Sequence, residues 1–276
     1  MREHSRHRGI HVPLASTRVG LAAALAAVLL AAGGCEQPVS PEARQLVTDS
    51  RAAYQRGDDA AVIRDTTAFL DGHANSKLAD VAYYLRGLAR CRQNDLAGAK
   101  SDLKAAAATA QRKDVRVGAL KALGDLAFDE DDMNWAEDLF RQALAEAEPK
   151  KQPIDEIRYR LGCVLQRKGR WSEADEQFDR VAHVFAGTEA ARRAERRLRC
   201  LAWTVQAGAF AGKKLADADA ARLRAKKLSA VVRPVTAGGR LQFVVQVGWY
   251  DSYERAAAAL PSVRRHRGDA FITPTR

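Results

Sequence analysis

Two copies of a short motif near the C-terminus combine residue types that suit a hydroxyl-rich ligand. The sequence VQAGAF at 205–210 recurs 40 residues later as VQVGWY at 245–250. A glutamine amide both donates hydrogen bonds to hydroxyl groups and accepts hydrogen bonds from them, and aromatic rings offer flat apolar faces for stacking. Gln206 lies in an otherwise apolar run, where a polar side chain needs a partner. Gln206 is therefore the first candidate for ligand contact.

The motif copies lie in a region whose pattern predicts alternating strands and helices. Period-two alternation predicts the strands, and alanine-rich amphipathic stretches predict the helices. Each copy ends a strand just before a helix, and the order of elements is βαββαβ. The predicted strands are 204–210, 230–235, 241–250 and 270–273, and the predicted helices are 216–228 and 252–265.

The duplicated VQxGx(F/Y) motif in a terminal βαββαβ unit resembles the SPOR domain, a septal peptidoglycan-binding module. The resemblance covers residues 201–276 and implies a small α+β fold with an RNP-like antiparallel sheet. It also implies that one sheet face binds glycan strands that lack stem peptides. The glycan-binding residues that it implies are Gln206, Ala209, Gln242, Phe243 and Phe271.

The sequence departs from the SPOR pattern on the third strand. The arginine that often follows the aromatic residue of this strand is Val244 here, and Gln242 or Phe243 stands in for the tryptophan of some members. Phe210 and Tyr250, with Gly208 and Gly248, are expected at core and turn positions.

Residues before this region contain an internal repeat. Gly57, Asn94, Asp131 and Gly169 occupy equivalent positions at offsets of 37, 37 and 38 residues. In the three later units a glycine lies seven residues before this position, and a large apolar residue lies nine residues after it. Such a glycine would let one helix come close to its partner. The glycines are Gly87, Gly124 and Gly162, and the large residues are Leu103, Phe140 and Phe178.

The pattern, as in LGDLAFDEDDMNWAEDLFRQAL, resembles the tetratricopeptide repeat (TPR). The resemblance implies an all-α TPR-like helical solenoid of four helix pairs over 44–200, and the arginine-rich stretch 188–200 is expected to form a capping helix. Stacked helix pairs form a curved surface for protein partners, although a spacer role stays open. Tyr83, Trp135 and Trp171 are expected to pack between helices rather than to contact a ligand.

The N-terminus has the pattern of a bacterial export signal. Four arginines in the first 18 residues precede an uncharged stretch at 19–32, which is shorter than the roughly 20 apolar residues of a spanning helix. Gly33, Gly34 and Cys35 follow, and this ending resembles the lipobox of bacterial lipoproteins, with Ala32 in place of the usual leucine. The resemblance implies a signal peptide at 1–34 and a lipid on Cys35. Ordinary signal-peptide cleavage is the alternative.

Residues 35–43 contain two prolines and are expected to form a tether between the lipid and the folded region. Glu36 is not the aspartate that retains enteric lipoproteins in the inner membrane, so the outer membrane is expected. The net charge is +3 over residues 1–35, zero over 36–202 and +8 over 203–276. A basic C-terminal domain attracts acidic ligands such as the carboxylates of muramic acid.

The sequence predicts no catalytic residues, metal site or cofactor. Cys91, Cys163 and Cys200 lack zinc-type spacing, and no catalytic motif with histidine, a phosphate loop or paired carboxylates occurs. Small buried side chains are the expected role of these cysteines, with disulfide formation left open. Nucleic acid is not an expected partner, because the chain carries an export signal and VVQVGWY differs from the RNA-binding consensus.

These features predict a non-catalytic cell-envelope lipoprotein that faces the periplasm. The domain at 201–276 would bind peptidoglycan glycan strands at the division septum, and the repeats at 44–200 would bind protein partners. The alternative is a TPR assembly scaffold whose C-terminal module binds a protein partner.

Overall fold

The computed structural model describes residues 38–148, 153–237 and 239–276. Within these ranges the chain forms helices α1 to α9 and then a βαββαβ domain. The helices are α1 Pro41–Arg56, α2 Asp59–His73, α3 Ala79–Arg92, α4 Leu96–Thr109, α5 Lys113–Asp129, α6 Met133–Glu146, α7 Ile154–Arg167, α8 Trp171–Val184 and α9 Glu189–Arg197. The C-terminal elements are β1 Ala202–Phe210, α10 Lys213–Ala225, β2 Ala230–Ala237, β3 Arg240–Tyr250, α11 Tyr253–Arg264 and β4 Phe271–Thr275.

The first helix begins inside the predicted tether. Pro41 starts α1, and the Ser40 hydroxyl accepts a hydrogen bond from the amide of Ala43 at 3.2 Å. A serine cap followed by proline is a favourable helix start, because proline needs no hydrogen-bond acceptor in the first turn. Cys35 and the predicted signal peptide at 1–34 lie outside the described residues.

The turn within each helix pair is the same in all four repeats. Its central residue has a positive φ, which a glycine adopts without strain and an asparagine or aspartate tolerates. These residues are Gly57 (φ 77°), Asn94 (62°), Asp131 (65°) and Gly169 (72°). In the first three repeats the next residue is an aspartate whose carboxylate accepts a hydrogen bond from the backbone amide three residues later; these are Asp58, Asp95 and Asp132.

The predicted close contact between paired helices is confirmed. A Cβ added to Gly87, Gly124 or Gly162 would lie 2.8, 2.7 or 2.5 Å from a side-chain carbon of Leu103, Phe140 or Phe178. The three large side chains are fully buried. Each glycine thus makes room for the large apolar residue that fixes the spacing within its helix pair.

Glu137 on α6 connects neighbouring repeats by ion pairs. Its carboxylate accepts hydrogen bonds from Lys168 at 2.7 Å and from Arg170 at 2.8 and 2.7 Å, just before α8. Arg141, one turn along α6, donates another at 2.9 Å. Burial alone would raise the pKa of Glu137, but the hydrogen bonds from Lys168, Arg141 and Arg170 outweigh burial and lower it to about 2.

Helix α9 closes the helical region, as the sequence predicts for a capping helix. It begins after Thr188, whose hydroxyl accepts a hydrogen bond from the amide of Ala191 at 3.1 Å. Its alanines are buried against the helical core, and Arg192 and Arg196 are exposed. Arg193 and Arg197 instead lie over the ring of Tyr159 on α7. Tyr83 and Trp135 also pack against this core, which confirms their predicted role. No helix in the described ranges is both long and apolar enough to cross a membrane.

The C-terminal domain is a four-stranded antiparallel sheet with strand order β2-β3-β1-β4. The apolar residues of α10 and α11, among them Ala220, Leu223 and Val263, pack against Val205 and Val245 on one face of the sheet. The predicted fold class, a helical repeat region followed by a small βαββαβ domain, is confirmed.

Aromatic side chains join the helical region to this domain. Trp203 on β1 is 3% exposed. Its ring centroid lies 5.6 Å from that of Trp171 and 5.1 Å from that of Tyr253, the latter in an edge-to-face arrangement. The guanidinium carbon of Arg167 lies 3.3 Å from the centroid of the Tyr253 ring. Trp171, which is expected between helices, therefore packs across the domain junction.

Candidate functional site

The sheet of the C-terminal domain has one face that α10 and α11 do not cover. Side chains alternate between the two faces of a strand, and the face opposite α10 and α11 carries polar, basic and exposed apolar residues. By strand register, this open face comprises Val231, Arg233 and Val235 on β2, Gln242, Val244 and Gln246 on β3, Thr204, Gln206 and Ala209 on β1, and Phe271, Thr273 and Thr275 on β4. Thr204, Val244, Gln246 and Thr275 are themselves buried.

A β-bulge sets which residues of β1 reach the open face. Gln206 pairs with Gln246 and Gly208 pairs with Val245, so Ala207 is an extra residue opposite β3. Such a bulge shifts the alternation by one position. Gln206 and Ala209 therefore lie on the same face although they are three residues apart.

Gln206 lies on β1, between the neighbouring strands β3 and β4. It pairs with Phe271 on β4 and with Gln246 on β3. Phe271 is 49% exposed, whereas Gln246 is buried and its amide oxygen accepts a weak hydrogen bond from Thr275 at 3.4 Å. Among the described residues, none forms a hydrogen bond with the half-buried side chain of Gln206. This amide can therefore bind a ligand next to an exposed aromatic ring.

A groove of about 620 Å³ runs along this face. The strands contribute its floor and one side, and the end of α9 and Cys200 contribute the other side. Its lining residues are Glu195, Arg196, Cys200, Gln206, Arg233, Pro234, Val235, Thr236, Val244, Gln246, Thr273, Pro274, Thr275 and Arg276. Three arginines and one glutamate give this lining a positive balance, which favours an anionic or partly anionic ligand.

The five predicted glycan-binding residues lie on two different faces of the sheet. Gln206 lines the groove, and Ala209, Gln242 and Phe271 lie on the same open face outside the groove lining. Phe243 lies on the opposite face, where it pairs with Phe210 and packs against the domain core. Four of the five residues thus share a surface, and Phe243 has a core position.

The open face also has an aromatic residue that the sequence reasoning did not select. Trp249 is 55% exposed, and the guanidinium carbon of Arg233 lies 5.7 Å from the centroid of one of its rings. Gly248 adopts a φ of 73°, which interrupts the alternation just before Trp249. The neighbouring Tyr250 packs against the core. The sequence contained one signal for this residue. The motif position that holds the small Ala209 in the first copy holds Trp249 in the second copy.

The cysteines have no features of a reactive or metal-binding site. Cys163 and Cys200 are buried, Cys91 is partly buried, and all three thiols are free. Burial raises the pKa of the Cys91 and Cys200 thiols, which lowers the thiolate fraction. Within the described ranges, no group of three or more His, Cys, Asp or Glu residues could hold a metal ion.

The comparison with protein families identifies the C-terminal domain. Residues 202–274 match the SPOR domain family. The match implies peptidoglycan binding and a periplasmic or cell-envelope location. SPOR domains are typically non-catalytic binding modules.

A search of solved structures finds similarity to a repeat protein. A crystal structure of a tetratricopeptide repeat protein from Parabacteroides merdae shares 17% sequence identity with this chain at a TM-score of 0.49. The alignment covers 57% of this chain and 59% of that chain, which is less than two thirds of either. No curated protein matches this chain.

Proposed function

We propose that this protein is a non-catalytic envelope lipoprotein that binds peptidoglycan glycan strands from which the stem peptides have been removed. Such strands occur where the septum is being split, so the protein acts at the division site. A lipid on Cys35 holds it to the outer membrane, and the helical repeats bind protein partners in the periplasm. The observation that carries the proposal is the Gln206 amide beside the exposed Phe271 ring, on the open face of a domain that matches the SPOR family.

The chemistry of this face suits a sugar chain. The ring of Phe271 can stack on the apolar face of a pyranose, while the Gln206 amide donates to and accepts from its hydroxyl or acetamido groups. Ala209 and Gln242 extend the same surface away from the groove. The small side chain of Ala209 leaves room for a ligand backbone to approach β1 closely.

The charge of the groove gives a physical reason for a strand without stem peptides. The groove lining includes arginines from α9 and from β2. Removal of a stem peptide leaves a free lactyl carboxylate, whose charge the arginines of the groove attract.

The test uses the chain from Glu36 to Arg276, which contains the compact unit Ser40–Arg276. This protein is incubated with intact sacculi and with sacculi whose stem peptides an amidase has removed, and each mixture is sedimented. Preferential sedimentation with the amidase-treated sacculi is the expected result. Failure to sediment with either sample overturns the proposal and leaves the assembly-scaffold alternative. Preference for intact sacculi contradicts the stated ligand.

A further inference from the structure

The groove on the open sheet face has walls from two domains. Glu195 and Arg196 belong to α9, the last helix of the repeat region, whereas Gln206 and Arg233 belong to the sheet. The SPOR match begins only at residue 202. The α9 wall is therefore outside the domain that the family comparison assigns to peptidoglycan binding.

Hydrogen bonds hold α9 in place beside the sheet. The side chain of Arg276 donates to the backbone carbonyls of Leu198 at 3.0 Å and Glu195 at 3.3 Å, and so neutralises acceptors at the C-terminal end of α9. The amide of Leu201 donates to the carbonyl of Thr275 at 3.0 Å. Cys200, between these contacts, is 2% exposed. The wall is thus part of the folded structure before any ligand binds.

Arg196 is the cationic group of this wall that is available to a ligand. Its side chain is 62% exposed, and its nearest described acidic partner, Glu189, is 3.9 Å away. Arg276, by contrast, donates its side-chain hydrogen bonds to α9. Arg233 lies on β2 at the opposite side of the groove. Arg196 and Arg233 therefore line one groove from two different domains.

We propose that α9 forms part of the glycan site and that Arg196 binds a lactyl carboxylate of the glycan strand. The inference rests on the proposed function and adds a residue of the repeat region to the site. A guanidinium group pairs with a carboxylate through two parallel hydrogen bonds. The repeat region then contributes directly to ligand selection, in addition to any protein partner that it binds.

The test measures affinity for soluble glycan strands in two chemical forms. Strands released from amidase-treated sacculi carry free lactyl carboxylates, and a second portion has these carboxylates converted to neutral amides. The proteins are the Glu36–Arg276 chain, Arg196→Gln, Arg196→Lys and the control Arg192→Gln. Arg192 lies on the same helix, is outside the groove lining and pairs with Glu189 at 2.6 Å, so its substitution removes the same charge.

The expected result is that Arg196→Gln weakens binding of the carboxylate strands about 5-fold at low salt. Arg192→Gln leaves binding within about 2-fold, and Arg196→Lys recovers part of the loss because it keeps the charge without the planar group. On the amidated strands, Arg196→Gln and the unsubstituted chain bind alike. Circular dichroism and thermal unfolding of each variant verify the fold.

Three results would overturn the inference. Equal affinities of Arg196→Gln and Arg192→Gln for the carboxylate strands show that α9 makes no specific contact, while the proposed function stands. A loss by Arg196→Gln that persists on the amidated strands shows that the carboxylate is not its partner. If the unsubstituted chain binds neither form, the proposed function fails and this inference fails with it.

Discussion

Gly162 on α7 faces the ring of Phe178 on α8 so closely that a Cβ at position 162 would lie 2.5 Å from Cε1 of the ring. Phe178 is fully buried and cannot swing into solvent. The same relationship recurs between Gly124 and Phe140, so it belongs to the repeat and not to one helix pair.

Gly162→Ala should therefore destabilise the protein although alanine is the better helix former. We expect a loss of about 1–3 kcal/mol from overpacking, after a helix-propensity gain of up to about 1 kcal/mol is included. Gly72→Ala is the matched control, because Gly72 is also helical and has no atom within 4 Å of its would-be Cβ. It should be neutral or stabilising. Equal thermal unfolding midpoints for the two variants would contradict the packing account.

The ion pairs of Glu137 predict an acid-sensitive contribution to stability. Its pKa in the folded protein is lowered to about 2, whereas an unfolded glutamate titrates near 4.3. Because the folded pKa is the lower one, the carboxylate contributes its full stabilisation above about pH 5 and loses it as the pH falls towards about 2. Glu137→Gln should lower the free energy of unfolding by about 1–3 kcal/mol at pH 7.

Chemical denaturation of both proteins between pH 7 and pH 2.5 checks this prediction. The difference in the free energy of unfolding should shrink as the pH falls. Glu176→Gln is the control, since Glu176 is exposed on α8 and has no ion pair among the described residues. Its effect should stay within about 0.5 kcal/mol. A constant difference for Glu137→Gln at all pH values would refute the electrostatic explanation.

The contacts of Tyr253 predict that this side chain stabilises the domain junction. Tyr253→Ala removes the edge-to-face contact with Trp203 and the stacking with Arg167. We expect a loss of about 1–3 kcal/mol and faster proteolysis of the segment from Leu198 to Leu201. Tyr253→Phe keeps the ring and should behave like the unsubstituted protein. Unchanged proteolysis of Tyr253→Ala would show that other contacts suffice to hold the junction.

Much of the fold follows from local patterns that the sequence displays directly. The repeat offsets locate Gly57, Asn94, Asp131 and Gly169 because a positive φ restricts which residue types a turn accepts. The period of two predicts the strands because alternate side chains pack against the helices.

The candidate site is less predictable because it depends on contacts between distant segments. The bulge at Ala207 arises from the pairing of β1 with β3, and this pairing places Ala209 on the face of Gln206. The same pairing gives Phe243 a core position. The proximity of Trp171 to Trp203 and of α9 to the groove depends on how two domains dock. No periodicity within one segment encodes that docking.

The proposed lipid anchor makes a separate prediction. Expression of the full chain in a bacterium should give a mature protein that begins at an acylated Cys35 and sediments with membranes. Cys35→Ser should instead be released by mild extraction of the periplasm, because the residue that receives the lipid is missing. Mass spectrometry of the mature N-terminus checks the modification directly. An unacylated terminus at another residue would support ordinary signal-peptide cleavage.

Substitution of Gln206 tests the proposed glycan contact itself. Gln206→Ala removes an amide that has no hydrogen-bonding partner among the described residues, so we expect little change in the free energy of unfolding. Binding to amidase-treated sacculi should weaken by about 1–3 kcal/mol if the amide is buried against the sugar. Gln45→Ala removes the same side chain from the exposed surface of α1 and should bind normally. Because stability and binding are measured on the same preparations, undiminished retention of a folded Gln206→Ala protein would remove Gln206 from the site.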